Sequence, residues 1–158
     1  MHLNRRRFAL ITAVAVTATT TRPALAGVER AKPDEAKAML AKAMGHIKAV
    51  GRDKAFADFM TKPGPWVDRD LHITVFDMQG KTLAHGANAP MVGKDNFNLR
   101  DGNGKFHVKE RLEIAKAKGR GQQEFACLNP MTKQIEPKLM YFERMDDIVV
   151  ACGAYKPV

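Results

Sequence analysis

The residues able to do chemistry in this 158-residue chain are few and scattered. No position is serine, which removes a serine nucleophile outright. Cys127 and Cys152 have no histidine or second cysteine at metal-ligand spacing, and no Cys-x-x-Cys-His run is present to hold a haem. His46, His72 and His107 are unclustered: the first lies in a helical stretch, the second in a strand beside apolar positions, the third near a helix start. Each reads as a hydrogen-bonded structural histidine. Without a nucleophile and base, paired carboxylates, a metal set or a cofactor motif, catalysis has nothing to work with, so no enzyme and no cofactor is expected.

What remains is recognition. A small carboxylate is strongly hydrated, so a pocket that captures it must replace water with several directed donors, preferably one of them a cation. Lys138 follows Pro137 at the start of a strand, where its ammonium can be pinned near the sheet; the alternative is an ordinary solvated lysine. Tyr141 and Tyr155 are the only tyrosines, and each brings a hydroxyl on a rigid ring to the pocket or to the core. His85, at the end of a strand, can donate to an anion and holds it more tightly when protonated near pH 6, or it is a rim histidine. Trp66 offers an apolar wall or a core ring, and Asn129 an amide to the pocket or to the turn before Pro130. Strict alternation from Lys138 puts Tyr141 on the opposite face of its strand, so the two line one pocket only if a bulge or a strand-end position intervenes.

The elements that must position these side chains follow from composition and periodicity. At 17.5 kDa, 45% apolar and 27% charged, the chain is one compact domain. Residues 1–26 have the layout of an export signal: basic Arg5, Arg6 and Arg7, an apolar stretch from Phe8 to Ala18, and a small-residue site at Ala24-Leu25-Ala26. Arg5-Arg6-Arg7-Phe8 also resembles a twin-arginine signal, without its usual Leu-Lys ending. Cleavage leaves residues 27–158 as the mature domain. The formal charge of +9 then falls to +5, because Arg5, Arg6, Arg7 and Arg22 leave with the signal, and the remaining cations are mixed with acids. A nucleic-acid partner is not expected.

Apolar residues from Ala36 to Val50 recur at three- and four-residue intervals, predicting a helix of about five turns that opens at Pro33 and closes at Gly51. A short helix with Phe56, Phe59 and Met60 on one side ends at Lys62-Pro63. The period becomes two at Leu71, and Asp77–Gly80 turns that strand into Lys81–His85 as a hairpin. Asn88 to Gly104 reads as a loop, with Asp101 or Asn103 expected to cap a helix over Phe106–Lys118 that Gly119 ends. Gln122–Leu128, Lys138–Met145 and Ile148–Tyr155 predict three more strands. The class is α+β: an antiparallel sheet with helices packed on it.

In order and spacing, several segments resemble the single Cache domain of type 2, a PAS-like extracellular sensory fold. They are Asp77–His85, Val92-Gly93-Lys94, Asp101–Phe106, Ala115–Gly121, Asn129-Pro130, Pro137-Lys138 with Tyr141, and Gly153-Ala154-Tyr155. The resemblance implies a long first helix, a five-stranded sheet in the order 2-1-5-4-3, and a pocket between the sheet and the long connection after the second strand. It implies that Lys138 and Tyr141 are the pocket lysine and tyrosine. It also separates Cys127 from Cys152 by an intervening strand, about 10 Å, beyond the roughly 7 Å a disulfide tolerates, so both are expected free. The segment Phe125-Ala126-Cys127-Leu128 departs from the aromatic residues usual there, which favours a ligand bulkier than acetate.

The expected function is therefore a periplasmic domain that binds and senses a small organic acid or related metabolite without altering it. A separate membrane sensor or transporter would read the bound state. The alternative is an interaction module that docks on a membrane partner, or forms a homodimer, through its first helix and the methionines Met39 and Met44.

Overall fold

A computed structural model describes residues 29–156; the expected export signal at 1–26 lies outside the described residues. The first helix, α1 (Pro33–Val50), opens on Pro33 with the Glu35 carboxylate accepting the Lys32 N–H at 2.6 Å, which satisfies one of the free amide donors of its first turn. Its buried residues Ala36, Leu40, Ala43, Met44 and Ile47 form one stripe, and α2 (Arg52–Met60) continues the layer with Ala55 and Phe59. Met39 is half-buried against the same core and Met44 is buried in it. The alternative of a methionine docking face on α1 is thereby set aside in favour of core packing: the helix spends these flexible side chains filling the gap above the sheet.

The sheet is antiparallel throughout. Its strands are β1 (Val67–Asp68), β2 (Leu71–Asp77), β3 (Thr82–His85), β4 (Arg120–Leu128), β5 (Ile135–Met145) and β6 (Ile148–Tyr155), in the spatial order β1-β2-β6-β5-β4, with β3 also on β2. For the five strands expected, this is the order 2-1-5-4-3. The sixth, β1, is two residues long and carries no period to read. Cys127 on β4 and Cys152 on β6 lie on strands separated by β5, and both are free.

The two faces of the sheet are filled differently. Ile73, Val75, Val150, Cys152 and Ala154 meet α1 and α2, each large aliphatic side chain contributing about 1.5–3 kcal/mol by burial. Phe76, Phe142, Val149 and Ala151 meet Val108, Leu112 and Ala115 of α3 (His107–Lys118) on the other. Gly119 ends α3 at φ 74°, a left-handed conformation that glycine adopts without steric cost. Neither Asp101 nor Asn103 caps α3. Asp101 lies too far upstream of the first turn, and its carboxylate instead accepts the backbone N–H groups of Asn103, Lys105 and Ala126, which folds the loop onto β4.

Candidate ligand-binding site

The α3 layer covers only part of its sheet face. Over the remainder, the connection from β3 to α3 arches across and encloses a cavity of about 490 Å³. The arch is tied down where it crosses β3: Thr82 N–H donates to Lys94 C=O, Gly93 N–H donates to Thr82 C=O, and Asn96 Nδ2 donates to Thr82 Oγ1 at 2.7 Å.

Strand periodicity puts polar residues on the floor. On β2, Leu71, Ile73 and Val75 face the helical core, so His72, Thr74 and Phe76 face the cavity. The β2–β3 register slips between Val75 and Phe76. That bulge lets Thr82 and His85, three residues apart, line the same cavity although strict alternation would separate them. Lys138 and Met140 come from β5, Tyr155 from β6, Phe125 and Cys127 from β4, and His107, Val108 and Arg111 from α3.

Electrostatically, the cavity is positive. Arg111 and Lys138 are each 1% exposed. The Arg111 guanidinium lies over Phe76 at 5.2 Å and Phe125 at 5.3 Å, and its Nε and Nη2 have no hydrogen-bond partner among the described residues. Burial lowers its pKa to about 10. The Lys138 ammonium sits 4.5 Å from the centre of the Tyr155 ring and 3.4 Å from His72 Nε2, and burial lowers its pKa too. An ammonium can only donate, so His72 Nε2 is the acceptor. His72 and His85 stack at 5.0 Å. The Nδ1 of His85 accepts the N–H groups of Ala87 (3.3 Å) and Asn88 (3.0 Å), so a neutral His85 carries its proton on Nε2 as a free donor. Burial, and then Lys138, holds His72 well below the usual histidine range and His85 at about 4; burial, and then Arg111, holds His107 at about 4.

Among the residues expected to bind, Lys138, His85 and Tyr155 line the cavity. Tyr155 offers its ring rather than its hydroxyl, which donates to Leu128 C=O at 2.6 Å. Tyr141 does not reach the cavity: β5 keeps strict pairing with both neighbours, so Tyr141 faces α1, where the Lys37 ammonium lies 5.1 Å over its ring. Trp66 is a core ring, packed edge-on against Phe59 at 4.9 Å in the α1–α2 layer on the far side of the sheet. Asn129 is buried in the β4–β5 turn, donating to Glu136 at 2.8 Å and accepting the Met131 N–H, so it holds the turn.

Two cavity residues were missed. Arg111 stands with Val108, Leu112 and Ala115 at the spacing of one helical face, so a cation on an apolar stripe was the signal. His72 shares the alternating face of Thr74 and Phe76, a polar pair inside an otherwise apolar strand. Among the described residues, no group of three or more His, Cys, Asp or Glu side chains is placed to hold a metal, and no helix is long and apolar enough to cross a membrane.

Residues 24–156 match the family model described as Single Cache domain 2. No curated protein matches the chain. Among solved structures, the chain is similar to a methyl-accepting chemotaxis protein from Vibrio parahaemolyticus, 24% identical with a TM-score of 0.68, covering 77% of this chain and 86% of that one. It is similar to a periplasmic sensor domain of a chemotaxis protein at 20% identity and a TM-score of 0.63, covering 78% and 90%. A third similar structure is described as a Cache chemosensory domain that recognises carboxylic acid, at 17% identity and a TM-score of 0.62, covering 78% and 88%. These likenesses establish the PAS-like α+β fold.

Proposed function

The chain belongs to the Single Cache domain 2 family, and from that premise we propose that its cavity binds a small organic acid as a sensory ligand, without chemical change. One observation carries this. Two buried cations line the cavity with no carboxylate within ion-pair distance of either among the described residues, although leaving a charge unpaired in the interior costs several kcal/mol. A bound acid supplies the missing counter-charge, and its own desolvation is offset by the side chains already aimed at it. The similar domain described as recognising carboxylic acid has the same fold; the anion preference argued here rests on this chain's own Arg111 and Lys138.

The domain works after export, with residues 1–26 as its signal, and a separate membrane protein reads the bound state. Thermal unfolding against a panel of short carboxylates at pH 6 and 7.5 tests the binding. An acid at 100 times its Kd raises stability by about 2.7 kcal/mol. A panel in which no acid shifts the transition overturns the proposal.

A further inference from the structure

The number and spacing of the cations say more than their sign. The inference rests on the organic-acid reading and concerns which acids the cavity takes.

The two cations stand beside different residues of the floor, near enough that the Arg111 charge acts on Lys138. Arg111 is held at Phe76 and Lys138 at His72. Those two β2 residues share a face and are four positions apart, about 13 Å of strand, with Thr74 between them. Each end also presents its own kind of donor. Phe76 and Phe125 lie against the guanidinium, and its Nε and Nη2, buried and without a partner among the described residues, form one edge whose parallel N–H bonds match the two oxygens of a carboxylate. At the other end, the Lys138 ammonium and the free Nε2 donor of His85 serve a second anion beside His72.

Among the described residues, neither cation has a protein counter-ion at contact. Glu110, the acid that acts on Arg111, pairs with Lys105 at 2.9 Å. Asp70, which acts on Lys138, lies beyond ion-pair distance of it; its Oδ1 accepts the Ala31 N–H and its Oδ2 is buried without a partner among the described residues. Asp101 holds three backbone N–H groups. A monocarboxylate pairs one cation and leaves the other buried and alone. An amino acid brings an ammonium for which the cavity has no free carboxylate.

We propose that the ligand is a short aliphatic dicarboxylate, with one carboxylate on the Arg111 edge, the other on Lys138 and His85, and its methylenes against Val108 and Met140. Isothermal titration of the purified chain, stripped of retained ligand by unfolding and refolding, compares matched pairs: succinate with butyrate, glutarate with valerate, and succinate with aspartate. The dicarboxylate of each pair is expected to bind tighter by about tenfold or more, and aspartate more weakly than succinate.

Arg111→Gln is expected to erase the difference between succinate and butyrate. Arg111→Lys, which keeps the charge but not the two-donor edge, is expected to narrow it, and guards against a loss that reflects folding alone. Equal or tighter binding of the monocarboxylates overturns the dicarboxylate assignment and leaves the organic-acid reading standing, as does a preference that survives Arg111→Gln. If no acid of either kind binds, both fall.

Discussion

On the proposed reading, Arg111 and Lys138 serve a ligand at the expense of the empty fold. A lone buried charge destabilises, so replacing either by an apolar side chain of similar length relieves the interior while removing the anchor. Arg111→Met and Lys138→Met are expected to unfold at a temperature no lower than the parent, and to lose most of the stabilisation an acid confers; calorimetry with and without ligand reads both. A variant that melts well below the parent and still responds to the acid would mark the residue as structural. Asn129 behaves in the opposite way. Its Nδ2 donates to Glu136 and its Oδ1 accepts the Met131 N–H, so Asn129→Ala removes one hydrogen bond from a carboxylate that Arg30 and Thr132 still hold and leaves the Met131 N–H without its acceptor. The expected cost is about 1–3 kcal/mol in denaturant unfolding, with ligand affinity unchanged. Lys138, His85 and Tyr155 were legible because strand ends and a Pro-Lys step localise them. Arg111 was hidden because a basic residue within a helix is ordinarily solvated, and only the stripe it interrupts marks it.

At the scale of elements, alternation along β5 decides which of two neighbouring candidates reaches the cavity. The strand pairs without a bulge from Ile135 to Met145, so Lys138 and Tyr141 are on opposite faces. Tyr141→Phe is therefore expected to leave the acid-induced thermal shift as it is, while Lys138→Met abolishes it; a Tyr141→Phe variant with a reduced shift would contradict the assignment of faces. The one register slip that matters is between β2 and β3, where the period of two breaks and brings Thr82 and His85 together. At the end of α3, Gly119→Ala forces a side chain into left-handed backbone and is expected to cost about 1 kcal/mol in denaturant unfolding without changing which acids bind.

For the whole molecule, the buried histidines couple stability to pH. His85 and His107 titrate at about 4 in the folded chain, and His72 lower than the usual range, against about 6.5 when unfolded. Between those limits the unfolded chain binds more protons than the folded one, so stability is complete above about pH 6.5 and falls as pH drops toward 4. Glu136, held at about 2 chiefly by its hydrogen bonds to Arg30, adds a loss in the same direction below its usual carboxylate range. The empty protein is expected to melt lower at pH 4.5 than at pH 7, by on the order of 5 °C, and an unchanged transition would remove the histidines from the account. An anion beside His72 and His85 favours their protonated forms. Acid binding is therefore expected to take up protons at the histidines, measurable as a buffer-dependent heat in titration calorimetry once the protons released by the ligand's own ionisation are subtracted. The helices, the five longer strands and the family resemblance followed from sequence alone, since each depends on a period or spacing repeated within a short window. Which side chains share the cavity was decided only by the tertiary structure. His72, Arg111 and Lys138 lie on β2, α3 and β5, distant along the chain, and they converge because β6 inserts between β2 and β5 and α3 covers only part of that face. No local pattern encodes that convergence.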